Sequence, residues 1–380
     1  MSSPLPFIHS DQSDAVPTGI YSINTGRPFA SDLVSGLLYL MPDRDVLATA
    51  HILVPSRRAA QALTAAFLDI TDSQPLILPI ITALGDVDEF SPEMLAHYGA
   101  EMPPAMDKVE RQLILSSLIQ RLRIGGRAIS PPQAISLSIS LCALLDQVSQ
   151  SGGSAERLGE VLPDDFATHW GKIKTFLDIV FQRWPDIAAE RHLMDPGMRA
   201  AGLLSAQCED WRQNPPDHPV IIAGSTGSLP STRALMKVVT GLPQGMIVLP
   251  GFPNTALSED DCLAIRADIG HPLHQLFETL EALDVLSGAV KCWVYQPKSQ
   301  SSDEDDYISQ RRALFLEVFR PAEQSYLWRR LAETHTHITR NALSSMRQIQ
   351  ASDLFQEAEI IACLMREILE HPKKTAILVT

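Results

Sequence analysis

The sequence lacks the closely spaced cysteines that are typical of structural zinc sites and disulfide frameworks. Its 380 residues include five cysteines, and no two of them form a C-x-x-C pair. Structural zinc sites need such pairs, and secreted disulfide-rich domains use an even set of cysteines. We therefore expect no metal site and reduced thiols, as in a cytoplasmic protein. The five cysteines are Cys142, Cys208, Cys262, Cys292 and Cys363.

Long apolar runs are also missing. The first residues are polar, among them Ser2, His9 and Asp11, and they contain no apolar segment of the kind found in secretory signals. The sequence has no continuous apolar stretch of the length needed to cross a bilayer, roughly 18 residues or more. We expect no contact with a membrane and a cytoplasmic location.

An excess of positive charge is the third absence. The chain has 31 Lys and Arg against 45 Asp and Glu, a net charge of −14. Phosphate contacts supply much of the affinity of nucleic-acid binders, which are usually basic. The balance argues against strong binding of duplex DNA by the chain as a whole, and local basic patches remain possible. The hydrophobic content of 45% excludes wholesale disorder.

Against these absences stands a regular alternation of strand and helix patterns. Buried-type apolar runs alternate with segments of helical spacing, which predicts a parallel sheet with crossover helices. The pattern stops after the third strand and resumes later in the chain. The predicted strands are 19–23, 51–55, 76–79, 219–224 and 245–250, and the predicted helices between them are 29–40, 57–69 and 229–240.

The interrupting segment contains almost no strand patterns, and we interpret it as an all-helical insertion. Its predicted helices are 107–124, 131–150, 165–184 and 196–212. Further helices are predicted at 307–319, 323–334 and 353–369, and a strand at 374–380 indicates the start of another α/β domain. The predicted organisation is a disordered or extended terminus at 1–16, an α/β domain at 17–90 and 215–296, a helical insertion at 91–214, a polar loop with linking helices at 297–344, and the start of a second domain at 345–380.

The turn after the first strand has the position of a phosphate-binding loop but not its parts. A working loop follows the pattern G-x-x-x-x-G-K-[ST], in which amides surround the phosphates and the lysine neutralises them. Here Thr25, Gly26 and Arg27 precede Pro28, so there is one glycine and no lysine. Arg27 can contact a phosphate but cannot replace the missing amides. We predict a degenerate phosphate loop.

The loop after the fourth strand lacks the acid that would hold Mg²⁺ in a nucleotide hydrolase. It begins Gly224-Ser225-Thr226-Gly227. Small residues before a helix can bind an anion through backbone amides, which makes Ser225 and Thr226 candidate contacts to a DNA phosphate. The alternative is a tight strand-to-helix turn that is capped by Ser or Thr.

Six ordered stretches carry a resemblance to a known family. The most specific are Ala-Gly-Ser-Thr-Gly-Ser at 223–228 and Leu-Gly-Asp-Val-Asp-Glu at 84–89. Over nearly its whole length the chain resembles AddB, a subunit of the bacterial AddAB helicase–nuclease, in its α-proteobacterial type. The stretches are 52–63, 84–89, 223–232, 248–251, 356–358 and 374–380.

The resemblance implies a fold and a function. The implied fold is a first RecA-like domain of the superfamily 1 helicase type with a helical insertion, followed by the start of a second RecA-like domain. The implied function is repair of DNA double-strand breaks by end resection with the motor subunit AddA, and recognition of a hotspot sequence in single-stranded DNA. Family members are longer, and their iron–sulfur cluster belongs to a C-terminal nuclease domain with no counterpart here. We therefore expect no cofactor and no catalysis in this chain.

Basic residues supply the remaining DNA candidates. Arg57 and Arg58 follow a strand and open a helix, a region that lies along single-stranded DNA in related helicases; the alternative is a solvated pair. Trp170 and Lys172 combine a stacking surface with a cation, although such a tryptophan is often core. Two other functions remain open, an active nucleotide hydrolase with an atypical loop and a scaffold for AddA. Positive charge also comes from Arg111, Arg121, Arg123 and Arg127.

Overall fold

The computed structural model describes most of the chain, in two compact units. One unit consists of Met1–Ser301 with Phe319–Tyr326, and the other of Ser302–Val318 with Leu327–Thr380. The predicted strand 374–380, apart from Leu378, and most of the predicted helix 165–184, with Trp170 and Lys172, lie outside the described residues. The described residues are 18–72, 74–84, 92–121, 123–124, 127–150, 183–253, 257–293, 302–330, 340–343, 346–371 and 378.

The first unit is built on one parallel sheet. In the part of the chain described, this sheet has six strands in the order β3-β2-β6-β7-β1-β8, and a separate two-residue ribbon pairs β4 with β5 in antiparallel fashion. The strands are β1 Gly19–Ile23, β2 His51–Val54, β3 Ile80–Ala83, β4 Arg123–Ile124, β5 Arg127–Ala128, β6 Val220–Ala223, β7 Gly245–Pro250 and β8 Lys291–Cys292.

Helices surround the sheet and form the insertion. In the first unit they are α1 Phe29–Leu40, α2 Arg44–Thr49, α3 Arg57–Ile70, α4 Pro92–Tyr98, α5 Lys108–Gln120, α6 Pro131–Gln150, α7 Trp184–Glu190, α8 Pro196–Gln213, α9 Pro230–Thr240, α10 Glu259–Ala267 and α11 His274–Ala282. The second unit contains α12 Ser302–Val318 and α13 Leu354–Leu369. Short 3₁₀ turns occupy Ser287–Ala289, Ala322–Arg330 and Arg340–Leu343.

Both faces of the sheet are covered, which explains why its central strands are continuously apolar. Along β6, Val220 and Ile222 pack into a core with α8, α9 and α11, whereas Ile221 and Ala223 pack into a core with α1 and α3. A third core joins α5, α6 and α7. The predicted α/β architecture is therefore observed. An all-helical insertion was predicted between β3 and β6, and the described residues there are mainly helical but include the short ribbon of β4 and β5.

The third strand lies further along the chain than predicted. The sequence pattern placed it at 76–79, and the structure places it at 80–83. Pro79 has no N–H to donate to the ladder, and the first ladder bond runs from the amide of Ile80 to the carbonyl of Ala50, at 3.0 Å. Ile77 is 74% exposed. The apolar run therefore lies largely before the strand.

The second unit is smaller. Trp328 donates from its indole nitrogen to the carbonyl of Glu317, at 2.9 Å, and Ala342 is fully buried. Asp353 caps α13 by accepting a hydrogen bond from the amide of Gln356, at 2.8 Å. No helix in the described ranges has both the length and the apolar character that a bilayer crossing requires.

Candidate functional site

The carboxyl ends of the parallel strands are where this kind of sheet binds ligands. Helix α1, which follows β1, lies on one face, and α9, which follows β6, lies on the other. Sheets of this kind bind ligands at the carboxyl edge where the following helices change from one face to the other. That change falls between β1 and β6, which are separated by β7, since β7 pairs with both. The two loops that sequence analysis selected therefore lie on either side of one strand.

The arginine of the β1–α1 turn is bound by its own helix. The Nε of Arg27 donates to the carboxylate of Asp32, and its Nη2 lies 3.4 Å from the other carboxylate oxygen. The two side chains are only 6% and 3% exposed. The backbone carbonyl of Asp32 accepts from the indole of Trp293, at 2.8 Å. The predicted phosphate contact is thus engaged inside the first turn of α1.

The rest of this turn packs against the neighbouring loops. A Cβ atom at Gly224 would lie 3.2 Å from the ring of Phe29, and Gly224 has a φ of +74°. The hydroxyl of Thr25 donates to the carbonyl of Gly251, at 3.3 Å. Pro28 precedes α1 and provides no capping hydrogen bond. The turn is closed by these contacts against the loops that follow β6 and β7.

The loop after β6 is also held by internal hydrogen bonds. The hydroxyl of Ser225 accepts from the amide of Gly227, at 3.2 Å. The carbonyl of Thr226 accepts from the hydroxyl of Thr279, at 2.7 Å, and the Nε of Arg233 donates to the carbonyl of Gly227, at 3.0 Å. This geometry is that of a tight strand-to-helix turn.

The cap of α9 differs from the serine or threonine cap that accompanied that interpretation. Leu229 occupies the capping position and makes no side-chain hydrogen bond, and Pro230 follows at the first helical position. Proline is tolerated there because this position has no intrahelical amide partner. The start of α9 therefore has no polar side chain that covers its first amides.

Of the remaining DNA candidates, the described part of the chain includes Arg57 and Arg58. Arg57 and Arg58 open α3 just beyond the carboxyl end of β2, and both side chains are exposed. Ser56 caps this helix by accepting from the amide of Ala59, at 3.3 Å. Trp170 and Lys172 lie outside the described residues. The arginines remain accessible at the expected edge of the sheet.

The structure also contains a cavity that sequence analysis missed. It has a volume of about 400 Å³ and lies between helices α5, α6 and α8 and the carboxyl ends of β3 and β6. The segments around it are far apart in sequence, so no local motif could have revealed it. Its lining consists of Leu84, Lys108, Arg111, Gln112, Ile139, Cys142, Asp146, Pro196, Gly197, Ala200, Ala201, Leu204, Leu229 and Ser231.

Arg111 is the central polar group of this cavity. Sequence analysis counted Arg111 as added positive charge in this helical region, and the structure shows that it is only 3% exposed. Its Nη1 donates to Asp146, at 2.6 Å, and its Nη2 to the carbonyl of Cys142, at 3.2 Å. Its Nε lies 3.1 Å from a carboxylate oxygen of Asp195, but the N–H is not aligned for a hydrogen bond. The guanidinium joins three segments and retains donor capacity.

The cysteine of the cavity is not an activated nucleophile. Burial raises the pKa of the Cys142 thiol, and the opposing effect of Arg111 is smaller. A raised pKa keeps the sulfur protonated, whereas catalytic cysteines need the thiolate. The described residues also contain no group of three or more His, Cys, Asp or Glu side chains placed to hold a metal ion. The geometry favours binding over covalent chemistry.

No protein-family model matches the chain, and a search of curated proteins gives no match.

Proposed function

We propose that this chain is a helicase-like module of the AddB type, with a RecA-like first domain that neither binds nor hydrolyses ATP. In this proposal it contacts single-stranded DNA and the motor subunit AddA during resection of broken DNA ends. The all-parallel sheet with helices on both faces and the helical segment between β3 and β6 support the proposal. So do the six ordered stretches of sequence.

The closed β1–α1 turn is the observation that carries the proposal. A nucleotide needs amides and a cation that face the phosphates. At this position the guanidinium of Arg27 is engaged by Asp32, and the ring of Phe29 lies against Gly224. Binding a triphosphate here would require a buried ion pair to open, which is costly because it leaves a buried charge without its partner.

The DNA contact is assigned to the exposed start of α3. Arg57 and Arg58 lie at the same carboxyl edge of the sheet and are accessible. Cations at a helix N-terminus are slightly unfavourable for the helix itself. Helix stability therefore does not account for these cations, and a phosphodiester is an anion that exposed cations at this edge can contact.

Equilibrium binding of a fluorescent ATP analogue with Mg²⁺ tests the first half. We expect no saturable binding at millimolar nucleotide. Saturable binding that is lost both in Arg27→Lys and in the double variant Arg27→Met/Asp32→Leu would support the alternative, an active nucleotide hydrolase. The double variant removes both charges together and so avoids a buried unpaired group.

Salt-dependent DNA binding by the complex with AddA tests the second half. The slope of log K against log salt should decrease by about 1 for each of Arg57→Ala and Arg58→Ala, since each removes one phosphate contact. Arg44→Ala is a matched control, because Arg44 is also exposed at the first position of a helix, α2, near the amino edge of the sheet. Equal slopes in all three variants would favour the scaffold function.

A further inference from the structure

We propose that the short ribbon between α5 and α6 contacts the phosphate backbone of duplex DNA. The ribbon consists of β4 and β5, and three arginines lie in it or directly before it, Arg121, Arg123 and Arg127. This contact would extend the proposed function from single-stranded to duplex DNA, and it rests on that function. Three features support it: the distribution of charge along the chain, the register of the ribbon and a lack of aromatic residues around it.

The charge of the chain is unevenly distributed. Asp and Glu account for 45 of its 380 residues, yet none of them occurs from 111 to 145. The charged side chains of this stretch are those of Arg111 and the three ribbon arginines. The stretch 59–107 has the opposite composition, with neither Lys nor Arg. A locally basic segment therefore exists in a chain whose net charge is −14.

The acids of α5 and α6 lie at the end of these helices away from the ribbon. Asp146 pairs there with Arg111, and Glu110 pairs with Arg191. From Glu110 to Arg121 the rise along α5 is about 16 Å, at about 1.5 Å per residue. The Debye length at physiological salt is only about 8 Å. These carboxylates therefore do not neutralise the ribbon arginines.

The end of α5 that leads into the ribbon is accessible. Arg121 directly follows the last turn of this helix, and its side chain is exposed. A cation at a helix C-terminus is favourable, so α5 itself accounts for Arg121. It does not account for Arg123 and Arg127, which lie beyond the helix. Like charges this close in the chain repel one another, and an external anion would relieve that repulsion.

The register of the ribbon places its two arginines on opposite faces. Arg123 pairs with Ala128, and Ile124 pairs with Arg127, in antiparallel fashion. Paired residues share a face, whereas adjacent residues along a strand alternate between faces. The major groove of B-DNA is about 12 Å wide and admits a two-stranded ribbon. A ribbon that enters the groove by its tip has one phosphate backbone beside each face, so each backbone would meet one arginine position.

A single strand suits this ribbon less well than a duplex. Proteins that bind single-stranded DNA stack its bases on aromatic side chains. The stretch 99–165 contains no Phe, Tyr, Trp or His. Arginines without such a stacking surface are suited to phosphate contacts, which position a protein on a duplex. We therefore assign the ribbon to duplex DNA and leave the single strand with Arg57 and Arg58.

Fluorescence anisotropy with a fluorescein-labelled, blunt-ended duplex tests the contact. The whole chain is used without AddA, so that every phosphate contact measured belongs to it, and one strand of the duplex is the second probe. For the duplex, the slope of log K against log salt should decrease by about 1 for each of Arg121→Gln, Arg123→Gln and Arg127→Gln, and by about 3 in the triple variant. For the single strand it should decrease by less than about 1 in the triple variant.

Two controls separate charge from position and from folding. Arg212→Gln removes an arginine that is 54% exposed on α8 and should leave both slopes unchanged. The triple variant with Lys at the three ribbon positions keeps the charge and should retain the duplex slope of the wild type. Thermal melting followed by circular dichroism checks the fold of both triple variants, and the single variants carry the test if a triple variant does not fold.

The contact is refuted if the wild type does not bind the duplex at low salt, or if the triple Gln variant and the wild type have equal duplex slopes. Equal decreases for the duplex and the single strand would refute the assignment to duplex DNA. Failure of the proposed function gives a different result. Arg57→Ala and Arg58→Ala would then leave the single-strand slope unchanged, whatever the ribbon variants do to the duplex slope.

Discussion

The β1–α1 turn and the cavity beyond β3 and β6 lie at the carboxyl ends of strands in the same sheet, and each contains a buried arginine. Arg27 pairs with Asp32 within the same turn of chain. Arg111 pairs with Asp146 on α6 and Asp195 at the start of α8. A local pair draws the side chain back onto its own helix and fills the turn. Pairs between separate helices hold these helices around a space. The residue type is the same, and the sequence distance of its partners decides whether the site is closed or open.

The largest effect is expected from a variant that removes the ion pair of the closed β1–α1 turn. Asp32→Ala should lower the free energy of unfolding by about 3 to 5 kcal/mol, because it leaves the guanidinium of Arg27 buried without its carboxylate. Urea unfolding measures it. Glu278→Ala is the control, since Glu278 lies 3.8 Å from Arg233 and is 50% exposed, and should cost under about 1 kcal/mol. Similar decreases in the free energy of unfolding of the two variants would show that the ion pair of Arg27 with Asp32 does not stabilise the closed turn.

The second prediction compares these paired charges with a buried group that has no acidic partner. Burial, with a smaller effect of His218, lowers the pKa of His51 from 6.5 to about 4. The unfolded chain therefore takes up a proton below pH 6.5 that the folded chain does not. The contribution of the neutral His51 imidazole to the free energy of unfolding should be fully present above pH 6.5. It should be lost as the pH decreases toward 4, and the total loss should be about 2 to 3 kcal/mol.

His51→Gln should remove that part of the acid sensitivity. Urea unfolding at several pH values gives the measurement, and His97→Gln is the control because the His97 imidazole is 69% exposed. The same pH dependence in wild type and His51→Gln would contradict the assignment.

A smaller effect tests the contact of Phe29 with the loop after β6. Gly224→Ala should cost about 1 to 3 kcal/mol, because Gly224 has a φ of +74° and its new Cβ would lie 3.2 Å from the Phe29 ring. Gly288→Ala meets nothing within 4 Å and should be close to neutral. Thermal unfolding of both variants measures the difference. Equal melting temperatures would show that Phe29 does not pack tightly against the loop after β6.

The smallest effect concerns the capped helices at the cavity. Asp107→Ala should cost about 1 kcal/mol, since it removes the acceptor for the amides of Val109 and Glu110. Chemical unfolding measures the effect, and an unchanged free energy of unfolding would show that the Asp107 cap does not stabilise α5.

The sequence alone predicts the positions of strands that are buried on both faces of the sheet. Strands β1, β2, β6 and β7 lie where the apolar runs predicted them, because residues on both faces of a covered parallel sheet must be apolar. The two-residue strand β8 was not predicted, since Lys291 and Cys292 have no apolar pattern and are placed by pairing with Tyr21 and Ser22. Residues 123–124 were predicted as the end of the helix 107–124, and this was wrong, because they form β4 and pair with β5 at 127–128.

The candidate sites were predictable only where their chemistry is local. The missing lysine at the β1–α1 turn is visible in the sequence, whereas the contact of Phe29 with Gly224 is not. Sequence analysis counted Arg111 only as added positive charge, and no local pattern indicates that it is buried. Its burial depends on Asp146 and Asp195, which reach it only in the folded state.

The order of strands in the sheet has a consequence for how the chain folds during synthesis. β1 pairs with β7 and β8, whereas β2 pairs with β3 and β6, so β1 and β2 are not neighbours. The first strand therefore has no partner until residue 250 has left the ribosome. Closing so long a loop costs entropy before its contacts form. Until then β1 presents open edges, which are prone to pair with other chains, and rapid folding of the insertion would not shorten that exposure.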